Sequence, residues 1–291
     1  MPSGPVRATP PRIRHALRQW VLLSRIIRDA EELLLLTDYD GTLTPIVATP
    51  EQARLSAAVR AALRSVARLP GVRVGVVSGR SLRVVRRLVR IPGIIYVGNH
   101  GFEIGGCGLQ FTHPRVKRSE HTLRRIAGQL CTALGTVRGS RVEAKGVSLS
   151  IHWRQVAARD VARFRRVVQR VLRPWVAGRH VRVTRGKRVV EVRPPLAWDK
   201  GRSVEWIARQ ARHPRRVRVC YLGDDRTDED AFRAVNRLKG ISIVIGRRRL
   251  TAARWWLMDA QEVHELLQRI LDVRDHRTRP AATAWVPGRD G

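Results

Sequence analysis

The chain has 291 residues, enough for one large domain or two of modest size, and 57 basic against 24 acidic side chains give it a formal charge of +33. With 43% hydrophobic and 28% charged residues it has a globular composition, which excludes a disordered chain. Three scattered cysteines (Cys107, Cys131, Cys220) exclude a disulfide scaffold and a CxxC zinc site and suit a reducing compartment. No apolar run reaches the about 18–20 residues of a membrane span.

Only five of the basic residues are lysines, and the arginines are spread along the chain, as when arginine replaces lysine throughout. Such a charge attracts polyanions without specificity and favours encounter with an anionic small substrate. By itself it assigns no nucleic-acid function.

In chain order, residues 1–14 read as a basic arm rich in Pro and Arg. Residues 15–30 read as a helix with Leu17, Trp20, Val21 and Ile27 apolar among arginines, completing an N-terminal region over 1–30. Its apolar stretch, VLL, is too short for a secretory signal. LLLLT (33–37) has the wholly apolar run of a strand covered on both faces. A helix with Leu55, Val59, Ala62, Val66 and Leu69 on one stripe follows, then strand 72–78, a helix from Ser81 to Arg90, and strand 94–99.

From 111 to 193 the pattern changes to helices at 119–134 and 158–173 with strictly alternating strands. In VSLSIHWR, Val147, Leu149, Ile151 and Trp153 share one face, and Ser148, Ser150, His152 and Arg154 the other. Arg141, Glu143 and Lys145 also share a face, and RGK at 185–187 reads as a hairpin turn. Alternation then resumes with helix 199–212, strand 217–223, helix 228–237, strand 241–246 and a helix from Ala260. A loose tail is expected over 275–291. The expected fold is α/β: a Rossmann-like parallel-sheet core (31–110 and 194–274) with an inserted α+β cap (111–193), joined at two connections that serve as hinges.

The sharpest local feature is TDYDGTLTP (37–45). Asp38 and Asp40 follow an apolar strand at its C-terminal end, the edge where open α/β sheets bind ligands, and Gly41 lets the chain turn. Two carboxylates leaving buried backbone repel each other, and a cation relieves them. GDDRTDEDAF (223–232) brings a second acidic group after another apolar strand, with Asp224 the expected ligand and Asp225 and Asp228 beside it. An all-oxygen donor set points to Mg²⁺. Thr227 with Asp230 has capping spacing. In VVSGR (76–80), Ser78 and Gly79 precede a helix, where a hydroxyl and free amides can hold an anion. Lys200 opens a helix, a poor position for a lysine against the helix dipole, and bridging phosphate to carboxylate accounts for it.

DYDGT, SGR, a lone Lys before Gly, and GDDRTDED, in this order, resemble the four motifs of the haloacid-dehalogenase-like phosphatases. With VGNHGFEI, VEAKGVSLSIHWR, VEVRP and YLGDDRTDEDAF, the set from Leu33 to Leu271 resembles the trehalose-6-phosphate phosphatase family. The resemblance implies that Asp38 is the nucleophile that becomes an aspartyl phosphate and Asp40 the general acid and base. It also implies that Asp38, the Asp40 carbonyl and Asp224 hold Mg²⁺, and that Ser78 and Lys200 bind the phosphoryl group. It extends substrate contact to Gly79 and Arg80, makes the insert a closing cap, and matches Glu143, Lys145, His152, Trp153, Arg154 and Glu191 to segments that contact the sugar. His100 and Glu103 lie near a strand end, where lining the cleft and shaping the loop are both open. The implied partner is a small sugar phosphate, with functional coupling to a trehalose-6-phosphate synthase, and the implied location is cytoplasmic.

Two other readings compete. One is the same chemistry on another sugar phosphate. The other is a basic nucleic-acid-binding protein on an inactive phosphatase fold, against which every expected catalytic position is filled and no aromatic stacking platform appears.

Overall fold

The computed structural model describes residues 13–47, 49–186, 188–213, 215–246 and 250–278. Residues 1–12 of the arm expected over 1–14, and the end of the tail, lie outside these. The first segment of the core runs β1 (Arg14–His15), α1 (Trp20–Asp29), β2 (Glu32–Asp38), α2 (Ala57–Val66), β3 (Val72–Val77), α3 (Leu82–Val89), β4 (Ile95–Gly98), β5 (Glu103–Gly106) and β6 (Leu109–Thr112). The insert follows as α4 (Lys117–Leu134), β7 (Arg141–Ala144), β8 (Leu149–His152), α5 (Val161–Ala177), β9 (Arg182–Gly186) and β10 (Val189–Arg193). The core then closes with α6 (Lys200–Arg209), β11 (Val217–Gly223), α7 (Glu229–Arg237), β12 (Ile241–Ile245), β13 (Trp255–Leu257) and α8 (Ala260–Thr278).

The core sheet has the order β1-β13-β12-β11-β2-β3-β4-β5-β6. It is parallel from β1 to β4, and β5 and β6 add an antiparallel edge. The run of leucines in β2 explains the layering. Leu33 and Leu35 enter one hydrophobic cluster with α1, α2, α3 and α8, while Leu34 and Leu36 enter another with α6 and α7. All four are fully buried, and each contributes roughly 2 kcal/mol relative to exposure. A strand anchored on both sides in this way presents its last residue, Asp38, with little positional freedom.

The cap sheet is antiparallel, in the order β7-β8-β10-β9. Its apolar side chains, Leu149 and Ile151 among them, pack in a cluster of their own against Leu123, Ile126 and Leu130 of α4 and Phe164 and Leu172 of α5. That leaves the other face of the sheet polar. Register aligns Glu143, Ser150, Glu191 and Thr184 in one row across the four strands.

Several boundaries differ from those expected. Residues 111 and 112 belong to β6, because the hairpin β5–β6 extends the core sheet before the chain leaves it. Arg185 and Gly186 pair with Val190 and Val189, so these two residues of the turn expected at 185–187 belong to strand β9, and residue 187 lies outside the described residues. The helix expected over 15–30 begins at Trp20, since Arg14 and His15 pair with β13. Finally, α8 continues to Thr278 through the start of the expected tail. Among the described residues, no helix is long and apolar enough to cross a membrane.

Candidate active site

Parallel register brings the motif residues to one sheet edge. Thr37 pairs with Leu222 of β11 and Asp38 with Val77 of β3, so Asp38, Asp224 and Ser78 leave neighbouring strand ends together. Asp38 is buried, and Lys200 at the first turn of α6 donates to its Oδ1 at 2.5 Å and to Asp228 Oδ1 at 2.7 Å. Burial pushes the Asp38 carboxyl well above its ordinary range; Lys200 opposes this, and Asp228 and Asp224 add to it. Burial disfavours the Lys200 ammonium, but the two carboxylates outweigh that and hold it charged.

Asp228 holds the acidic loop together. Its Oδ1 accepts from Lys200 and, at 2.7 Å, from the Tyr221 hydroxyl; its Oδ2 accepts from the backbone N–H groups of Asp224 and Asp225 at 3.1 and 2.9 Å. Four donors occupy this carboxylate, so it orders the site around it. Asp225 and Asp228 form a reciprocal capping box, which corrects the expected pairing of Thr227 with Asp230.

Carboxylate oxygens of Asp38, Asp224 and Asp228 lie within 4.8 Å of one another. All three donors are hard oxygens, as a magnesium-type cation requires. Gly41, at φ +86°, keeps the space beside them: a Cβ there would fall 2.3 Å from Asp224 Oδ2. The residues therefore fit a cation, with Asp38 and Asp224 the carboxylates best able to hold it.

Asp40 sits in the turn beyond Asp38 and is clamped by Arg80, whose Nε and Nη2 donate to its two oxygens at 2.8 and 2.6 Å. Arg80, expected as a substrate contact, thus frames the second carboxylate as well as lining the cleft. The Ser78 hydroxyl is buried and accepts from the Arg80 N–H at 3.1 Å. Gly79 lies against His100, and a Cβ at 79 would meet that ring at 2.5 Å.

The cleft between sheet edge and cap is a cavity of about 270 Å³. Asp38, Asp40, Gly79, Arg80, Lys200 and Asp224 line its floor; Glu143, Lys145, His152, Arg154 and Glu191 line the cap side, with His100 between. His152 Nε2 lies 2.8 Å from Glu143 Oε2. Burial would raise the Glu143 carboxyl, but this contact and Lys145 bring it below its ordinary value. Glu191 accepts from the Ser150 hydroxyl at 2.7 Å and has Lys145 Nζ at 3.6 Å. Burial opposes its ionisation too, yet Lys145, His100 and Arg193 keep it well below the usual carboxylate range. His100 is pushed down to about 3, first by burial and then by Arg193, so its imidazole is neutral.

Cap and core meet around this cavity. Lys145 Nζ donates to the Gly79 carbonyl at 2.9 Å, Ser148 Oγ to Asn99 Oδ1 at 2.9 Å, and Arg154 Nη1 to the Val47 carbonyl at 2.9 Å.

Ser78 and Asp228 are buried and do not line the cavity, and two further candidates lie elsewhere. Trp153, expected at the sugar, stacks on Phe164 in the cap core, as its alternation with Ile151 requires, and does not line the cavity. Glu103, for which both roles were open, accepts from Asn99 Nδ2 and shapes the loop. The loop carrying Pro45, Ile46, Val47, Thr49 and Glu51 lines the cavity opposite the cap, and the motif over 37–45 reached only its first residue. Its one signal is an Ile-Val pair in a connection; Ile46 is 50% exposed.

A buried carboxylate beside a lysine and an oxygen-donor set that fits a cation suits phosphoryl transfer. The parallel sheet with a cap inserted over that carboxylate is a fold shared with a haloacid dehalogenase-like hydrolase from Bacteroides thetaiotaomicron, at a TM-score of 0.58 and 17% identity over 82% of this chain and 100% of that one. Residues 36–256 match the family described as trehalose-phosphatase, and the chain belongs to that family. It is 32% identical over 257 residues to the probable trehalose-phosphate phosphatase D of Arabidopsis thaliana, covering 83% of this chain and 68% of that protein. It is 39% identical over 247 residues to the trehalose-phosphate phosphatase of Mycobacterium avium, covering 81% of this chain and 61% of that protein. Among solved structures, the C-terminal domain of C. albicans trehalose-6-phosphate phosphatase shares the fold with a TM-score of 0.78 at 23% identity, covering 89% of this chain and 98% of that one. The Aspergillus fumigatus trehalose-6-phosphate phosphatase aligns with a TM-score of 0.60 at 28% identity over 87% of this chain and 97% of that one.

Proposed function

We propose that this chain hydrolyses trehalose 6-phosphate to trehalose and phosphate, with Mg²⁺ and through an aspartyl phosphate on Asp38. The observation that carries the reading is the Asp38 carboxylate, 2.5 Å from Lys200 at the floor of a cavity roofed by the polar cap face. Asp38 attacks phosphorus, the bond to the sugar oxygen breaks, and Asp40 gives that oxygen a proton. Asp40 then takes a proton from water, whose oxygen attacks phosphorus, releasing phosphate and restoring the Asp38 carboxylate. Asp38, the Asp40 carbonyl and Asp224 would hold Mg²⁺, which when bound offsets charge on the phosphoryl oxygens. Lys200 and the Ser78–Gly79 turn bind the same oxygens, and Arg80 orients Asp40. Glu143, Lys145, His152, Arg154, Glu191 and His100 face the sugar.

Free cysteines at 107, 131 and 220 fit a reducing, cytoplasmic setting. Consumption of trehalose 6-phosphate couples the chain functionally to a trehalose-6-phosphate synthase. Phosphate release from trehalose 6-phosphate, glucose 6-phosphate and sucrose 6-phosphate, with and without Mg²⁺, tests the reading. A preference of at least about tenfold in kcat/KM for trehalose 6-phosphate, lost on chelation, is expected. Equal rates on all three would reassign the substrate to sugar phosphates in general, and turnover unaffected by chelation would remove the cation.

A further inference from the structure

The charge is not evenly placed. Residues 111–193 carry 21 Lys and Arg against four Asp and Glu, so about half of the net +33 sits in 83 residues. Of the four acids, Glu143 and Glu191 face the cavity. Much of the imbalance gathers on the far side of the cap sheet. There α4 and α5 carry nine cations (Lys117, Arg118, Arg124 and Arg125 on the first, five arginines on the second) and one acid, Glu120. All nine are exposed, and none forms an ion pair among the described residues. The core pairs part of its surface arginines: Arg202 and Arg237 flank Glu205, Arg233 meets Asp230, Arg269 meets Glu265 and Arg216 meets Glu31, while exposed Arg68, Arg83, Arg87 and Arg209 form no ion pair among the described residues.

We propose that the outer helical layer of the cap docks on an anionic phospholipid surface. Guanidinium forks match phosphate oxygens two at a time. Helices of 18 and 17 residues make a layer about 26 Å long, and two helices packed side by side are roughly 20 Å across. A layer that broad suits a plane and is wider than the ~12 Å major groove of DNA. At the end of α5, half-buried Trp175 lies under Arg125, 5.4 Å from ring centroid to guanidinium carbon, beside Val176, which is 44% exposed. An aromatic and an aliphatic side chain among arginines are the components of an interfacial anchor. The cavity opens on the opposite side of the cap sheet, so a docked chain keeps its substrate access.

Co-sedimentation of the full chain with vesicles of phosphatidylcholine containing about 30% phosphatidylserine, at about 0.1 M salt, tests the proposal. Two variants with the same change in charge are compared: Arg124→Gln, Arg166→Gln, Arg170→Gln and Arg173→Gln combined on the cap, and Arg68→Gln, Arg83→Gln, Arg87→Gln and Arg209→Gln combined on the core. Wild type should bind these vesicles and not pure phosphatidylcholine. The cap variant should bind at least about tenfold more weakly, the core variant within about twofold of wild type, and both should keep wild-type phosphatase activity. Equal losses in the two variants would mean a diffuse charge effect and overturn the proposal, as would no binding by wild type. Tighter binding to a DNA duplex than to the vesicles at the same salt would overturn it too and assign the face to nucleic acid.

Discussion

The core sheet carries its acidic residues at the ends of strands buried on both faces, whereas the cap sheet carries its polar residues along strands buried on one face only. Asp38 and Asp224 are placed by backbone register inside two hydrophobic layers, and a saturated Asp228 ties the loop between them. Glu143, Glu191 and Lys145 are placed by side-chain pairs on a four-stranded sheet that meets the core through a few polar contacts. Under the proposed function, this difference separates chemistry from recognition: the core acts on any phosphate ester that reaches it, and the cap acts only on those long enough to touch it.

The largest effect should come from Asp38→Asn. The amide keeps the shape but cannot accept the phosphoryl group, so turnover of every substrate should fall on the order of 10⁴-fold with the fold retained by circular dichroism. Turnover within about tenfold of wild type would exclude the covalent step and erase the core's side of the comparison.

Glu143→Ala should split the two regions. We expect a loss on the order of 10²-fold in kcat/KM for trehalose 6-phosphate and little change for a small aryl phosphate, because remote binding energy holds the closed cap. Equal losses on both substrates would show that Glu143 supports the fold rather than reading the sugar.

His100 stands where the regions meet, and its effect is on stability. Its folded-state pKa of about 3 lies below the unfolded value, so the unfolded chain binds the extra proton and stability falls as pH drops from 7 towards 3. By pH 5 this single group should cost about 2 kcal/mol, and thermal melts of His100→Asn should lose less between pH 7 and 5 than wild type. Parallel slopes for the two proteins would mean that His100 takes up its proton in the fold as readily as in the unfolded chain. Glu191 acts lower: its depressed pKa contributes stability that is lost as pH falls below its unfolded value, outside this window.

The smallest effect belongs to the exposed pair of Arg141 and Glu51 at the rim, 2.6 Å apart. Glu51→Gln should change stability by about 0.5 kcal/mol or less in denaturant titrations, and by nothing at high salt. A larger, salt-resistant change would make the rim a principal tie between cap and core.

Local pattern was enough to find the candidate chemistry of the core. Asp38, Asp40, Ser78, Lys200 and Asp224 were legible because each follows an apolar strand or opens a helix, and parallel strands can only deliver such ends to one edge. Alternation likewise marked which face of β8 is polar, and put Trp153 on the apolar one, where the structure keeps it. Packing settled the pairs between distant segments: Arg80 with Asp40, Lys145 with the Gly79 carbonyl, and Lys200 between Asp38 and Asp228. It also put the loop from Pro45 to Glu51 against the cavity and gathered the arginines of α4 and α5 on the cap's outer side. Periodicity reports which side of an element is buried, because burial follows from the spacing of its own residues. Which partner a polar side chain meets depends on how separate elements pack, and that is set by the whole hydrophobic core rather than by any one segment.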